Sequence, residues 1–131
     1  MNTATSVFSP ITIEAPGTSP LFVEASAHPL LKAEVRETLE RLLKLLDNEA
    51  RAQSIPVSKS EVRGFTDPED EADSLVVTQW VEAPVQTALT YWDRLGAAVE
   101  IWTNQLPKED ASLVAEQIAV EVRWEPDARP T

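Results

Sequence analysis

Leu75-Val76-Val77-Thr78-Gln79-Trp80-Val81 puts five apolar residues into seven positions, three of them valine, with no glycine or proline. β-branched and aromatic residues at that density predict a strand, and one covered on both faces. Side chains alternate along a strand, so Leu75, Val77 and Val81 share one face while Val76, Thr78 and Trp80 share the other.

The flanking sequence supplies a partner for this strand. Residues 57–65 are β-prone but polar, with Lys59, Glu61 and Arg63 on one side, as an exposed edge strand would be. Asp67-Pro68-Glu69-Asp70-Glu71-Ala72-Asp73 joins the two stretches as a charged turn, which makes a hairpin. Pro84 then opens a helix to about residue 105, whose expected buried stripe is Val85, Leu89, Trp92, Leu95 or Gly96, Val99 and Trp102. Pro107 ends it, and Lys108-Glu109-Asp110 starts a shorter helix to about residue 116. Ile118, Val120, Val122 and Trp124 alternate with Ala119, Glu121 and Arg123, the pattern of a half-buried strand.

Upstream, residues 30–53 form the clearest helix. Leu31, Val35, Leu39, Leu42, Leu43 and Leu46 recur at spacings of three and four, and Leu30 and Leu45 widen the stripe beyond what one neighbour needs. Glu37–Arg41 and Glu40–Lys44 are acid-before-base pairs one turn apart, each worth about 0.2–0.5 kcal/mol. Residues 1–29 are rich in Ser, Thr and Pro and read as an extended arm. Ile11-Thr12-Ile13 and Leu21-Phe22-Val23 are short enough for edge strands only, because prolines punctuate the segment.

The expected fold is therefore α+β: a small, mostly antiparallel three-stranded sheet built from a hairpin, a helix, a short helix and a strand, with an additional N-terminal amphipathic helix. The expected divisions are an arm at 1–29, a helix at 30–53 packing on the sheet or on a second subunit, an acidic α+β domain at 54–125 and a tail at 126–131. The Val76–Trp80 face of the sheet then lacks a cover, and the N-terminal helix of the same chain or of a second copy is the obvious candidate.

Composition removes whole classes of chemistry. With no cysteine there is no disulfide, thiolate metal site or cysteine nucleophile. One histidine, His28, stands just before Pro29 in the arm, without the positioned partner that a catalytic base needs. Gly17, Gly64 and Gly96 form no phosphate-cradling loop, and no serine sits in a nucleophile elbow. No enzyme activity, cofactor or metal is expected. Gly96 in mid-helix costs about 1 kcal/mol relative to alanine, which suggests close approach of another backbone or a bulky ring.

The net charge of −11 is unevenly spread, with 7 acids and 5 bases in residues 1–56 against 15 acids and 6 bases in residues 57–131. An acidic surface repels phosphate, so direct binding of nucleic acid or an anionic membrane is not expected. Residues 1–9 lack a basic start and an apolar core, and no apolar run approaches the ~20 residues that span a bilayer. A soluble cytoplasmic protein is expected.

Three functional readings follow. The first is a non-enzymatic interaction protein that self-associates, most simply as a homodimer. Its interface candidates are Leu31, Val35, Leu39, Leu42 and Leu46 on the helix and Val76 and Trp80 on the sheet. The second is an acidic, antitoxin-like or inhibitor protein that neutralises a basic nucleic-acid-binding partner, with Asp67, Glu69, Asp70, Glu71 and Asp73 as docking loop. The third is a small-ligand binder with an aromatic pocket lined by Trp80, Tyr91 and Trp102.

Overall fold

The computed structural model describes residues 19–69 and 72–124. The expectations placed on residues 1–18, Asp70, Glu71 and the tail at 126–131 lie outside the described residues. In chain order the elements are β1 (Leu21–Val23), a 3₁₀ turn (Ala25–Leu30), α1 (Ala33–Ala52), β2 (Val57–Thr66), β3 (Asp73–Val81), α2 (Val85–Asn104), α3 (Lys108–Gln117) and β4 (Ile118–Arg123).

The class is α+β, but the sheet differs from the three-stranded, mostly antiparallel one expected. It has four strands in the order β1-β2-β3-β4 and is mixed. Only the β2–β3 hairpin is antiparallel, because its short loop reverses the chain. The other two connections carry helices that run back along the sheet, so β2 re-enters parallel to β1 and β4 parallel to β3. β2 is consequently an interior strand, not the edge its polar residues suggested. The edges are β1, only three residues long, and β4.

Among the described residues all helices lie on one face of the sheet. Leu75, Val77 and Val81 of β3, Val62 of β2 and Val122 of β4 form one core with Leu39, Leu42, Leu43 and Leu46 of α1 and Ala88, Tyr91 and Leu95 of α2. The breadth of the α1 stripe has its reason here, since that helix packs on the sheet and on α2 together. The expected cover of the Val76–Trp80 face by α1 of the same chain does not form. The two crossovers pass over one face and step the same way along the sheet, yet their strand pairs run in opposite directions. They therefore have opposite hands, and one takes the rare left-handed form.

α1 ends in a Schellman motif. Ser54 N–H donates to Arg51 O at 3.1 Å, and Ile55 N–H donates to Ala50 O at 2.8 Å. The pivot is Ser54, at φ 57°, where glycine is the usual residue because a Cβ crowds the left-handed conformation. Ser54→Gly is therefore expected to stabilise the fold by about 0.5–1 kcal/mol. Thermal unfolding followed by circular dichroism would show a midpoint raised by a few degrees. An unchanged or lowered midpoint would refute this.

Candidate interaction surfaces

The stripe that α2 buries is the expected one only in its second half: Leu95 is buried and Val99 and Trp102 pack against the core, whereas Val85, Leu89 and Trp92 do not enter it. Ala88, Tyr91 and Leu95 face the core at 0–1% exposure, while Val85 is 51%, Leu89 45% and Trp92 37% exposed. Both rows obey helical spacing and are rotated from each other by about a quarter turn around the helix. Trp92, Leu95, Gly96 and Val99 of α2 border a groove of about 190 Å³ with Val114 of α3 and Ile118 and Val120 of β4. Trp92 of the exposed stripe thus stands beside β4. A Cβ at Gly96 would meet nothing within 4 Å, so the close neighbour expected there is not supplied by the described residues. Trp92 and Gly96 are one turn apart, a ring beside a notch.

The interface candidates on α1 are core residues. Leu31, Val35, Leu39, Leu42 and Leu46 are 6%, 7%, 0%, 0% and 1% exposed and leave no apolar side for a second chain. Val76 and Trp80 lie on the helix-free face of the sheet and are half-buried. That face is organised by charge. Across the strands, Glu61, Thr78 and Glu121 stand in one row. Glu121 Oε2 accepts from Thr78 Oγ1 at 2.7 Å, from Arg63 Nη2 at 3.0 Å and from Arg123 Nε at 3.1 Å. The Trp80 indole N–H donates to Glu61 Oε1 at 2.9 Å, and Lys59 Nζ sits 5.3 Å from the Trp80 ring centre. Thr78 is only 1% exposed although no helix covers it, because these side chains close over it. The face is a self-satisfied polar lattice with one tryptophan edge, a weaker candidate than the α2 side.

The aromatic pocket expected from Trp80, Tyr91 and Trp102 is not assembled. Trp80 points away from the helices, whereas Tyr91 reaches Gln79 on the helix-covered face, its hydroxyl donating to Gln79 Oε1 at 2.6 Å. Burial is the largest cause that pushes the Tyr91 hydroxyl well above its ordinary pKa, and the charges of Glu49 and Asp47 push the same way. The enclosed space beside Gln79, Ser60 and Leu46 is about 20 Å³, room for a water and not for a ligand.

Asp67, Glu69 and Asp73 lie at the hairpin tip. Asp67 Oδ1 accepts from Glu69 N at 2.8 Å, and Asp73 Oδ1 accepts from Thr66 Oγ1 at 2.7 Å, so both carboxylates shape the turn. His28 sits in the 3₁₀ turn, half-buried rather than on the surface. Among the described residues no helix is long and apolar enough to cross a membrane, and no group of three His, Asp or Glu side chains could hold a metal ion.

No signal at the level of single motifs marks the α2 side. What could have found it is the scarcity of charge on that helix, with Asp93, Arg94 and Glu100 alone in twenty residues. The chain matches no family model, no curated protein and no solved structure.

Proposed function

We propose that this chain is a non-enzymatic interaction protein that self-associates as a two-fold dimer through the side formed by α2 and the edge of β4. The observation that carries this reading is the exposure of Val85, Leu89 and Trp92 on a helix whose adjacent row, Ala88, Tyr91 and Leu95, already fills the core. A contiguous apolar stripe beside an open strand edge is what monomeric proteins avoid.

A second copy suits the stripe because a two-fold interface must be self-complementary. Trp92 is a projection and Gly96 a hollow on the same line. A two-fold axis between them lets each Trp92 ring enter the other copy's Gly96 notch.

Light scattering coupled to size exclusion at high micromolar concentration tests this. The wild type is expected at twice the 14.5 kDa of the chain. Leu89→Glu and Trp92→Glu are expected at the monomer mass, with unchanged far-ultraviolet circular dichroism because both side chains are substantially exposed. A monomeric wild type would overturn self-association. The rim of the same stripe is acidic, with five acids and two bases in residues 85–117. A monomer that binds a basic amphipathic peptide, with affinity falling steeply in salt, would transfer the surface to a basic partner. A monomer that binds no such peptide removes both readings.

A further inference from the structure

Resting on the self-association proposed above, we infer that the two copies join β4 to β4 antiparallel, centred on Val122, so that Glu121 of each copy faces Arg123 of the other. The two four-stranded sheets then run on as one of eight strands.

The two edges of the sheet are unequal. β1 is three residues long and follows Pro20, which blunts it as a template. β4 is six residues, Ile-Ala-Val-Glu-Val-Arg, without proline, glycine or lysine, and pairs with β3 on one side only. Among the described residues no strand pairs with its outer side. Such an edge is open to another strand, and the same edge of a second copy is self-complementary in its backbone.

The side chains select the register. Directly opposed residues must share a face, so the two-fold passes through a residue of β4. Centring on Glu121 sets Glu121 against its own copy, and centring on Arg123 does the same with arginine. Like charges directly opposite are destabilising. Centring on Val120 sets Ala119 against Glu121 and leaves Arg123 unmatched by an acid. Centring on Val122 alone gives two Glu121–Arg123 pairs on the helix-free face. Arg123 bonds its own Glu121 Oε2 through Nε at 3.1 Å, and its side chain is still 51% exposed, so the guanidinium can turn to the facing Glu121.

The helix layer agrees. Because the groove is shared by Trp92, Gly96 and Val99 with Ile118 and Val120, pairing the β4 edges brings the Trp92–Gly96 part of each α2 toward the same axis. Sheet and helix layers are thus closed by one operation.

The test uses charge reversal and cysteine substitution in the full chain, which has no native cysteine. Arg123→Glu alone and Glu121→Arg alone each place like charges opposite, and the mass by light scattering is expected to halve. An equimolar mixture of the two variants restores opposite charges at both positions and is expected to recover the dimer mass. Glu121 also holds Thr78 and Arg63, so a readout that leaves those bonds intact accompanies this. Val122→Cys is expected to cross-link to its own copy on oxidation, whereas Val120→Cys is not. A wild-type monomer defeats both the inference and the reading beneath it. A wild-type dimer that Trp92→Glu dissociates, but in which Val122→Cys fails to cross-link and the mixture fails to recover, defeats this register alone.

Discussion

Gly64→Val is expected to detach the segment from Leu21 to Leu31 from the sheet and to cost more than any single surface change. Gly64 lies on the helix-covered side of β2, opposite Leu75. A Cβ there would sit 2.2 Å from Ser26 O and 2.8 Å from Ser26 C. Both atoms are backbone, so no rotamer relieves the clash, and the 3₁₀ turn must lift. Lifting it breaks Gly64 N–H to Ser26 Oγ at 2.9 Å and Glu24 N–H to Val62 O at 2.9 Å. It also uncovers Ala27 and Leu31, which are 0% and 6% exposed. Overpacking alone costs about 1–3 kcal/mol, and the lost burial adds to it. Urea unfolding is expected to show a loss of about 3 kcal/mol for Gly64→Ala and more for valine. Ser26→Ala removes only the hydroxyl bond and is expected to cost about 1 kcal/mol. If alanine at position 64 is tolerated as well as alanine at position 26, the close approach is not a constraint on the fold.

What the sequence made legible depended on how local the determining physics is. The α1 stripe and the alternation of β3 and β4 are written in residue spacing, and those elements lie where spacing puts them. The phase of α2 is not local. Val85, Leu89, Trp92 and Gly96 compete with Ala88, Tyr91 and Leu95 at the same period, and hydrophobicity favours the row with leucine and tryptophan. The buried row prevails because Tyr91 finds Gln79 and because α1 and the sheet leave room for small Ala88. Leu21–Val23 was legible as an edge-strand candidate, but its place in the sheet was not, for a similar reason. Three residues between prolines carry little intrinsic β signal, and only Ser60, Glu61 and Val62 across the sheet give Leu21–Val23 its pairing. Nor does any spacing rule relate Glu61, Thr78 and Glu121, which meet through register alone. Val85, Leu89 and Trp92, the basis of the interaction surface, were therefore visible in sequence but assigned to the wrong environment, while Leu95, Val99 and Trp102 of the same stripe were assigned correctly.

The alkaline limb of stability is expected to belong to Tyr91, the only tyrosine in the chain. Its side chain is 1% exposed, and burial first, then the charges of Glu49 and Asp47, hold its hydroxyl protonated well above the ordinary range. An unfolded tyrosine releases its proton near pH 10, while the folded one keeps it. The group's contribution is therefore complete below about pH 10 and is lost as pH rises above it, at up to about 1.4 kcal/mol per pH unit. Tyr91→Phe has no proton to lose, but it leaves Gln79 Oε1 without its donor in a site only 3% exposed. Near neutrality that variant is expected to be about 1–3 kcal/mol less stable. Above pH 10 the wild-type curve falls toward that of the variant, because lysine and arginine titrations are common to both and cancel in the difference. Urea unfolding at pH values from 7 to about 11.5 measures the gap, and tyrosinate absorbance in the wild type should appear together with loss of the native circular dichroism. Parallel stability curves, or tyrosinate formed while the native signal persists, would show that the Tyr91 hydroxyl is not held in the core as described.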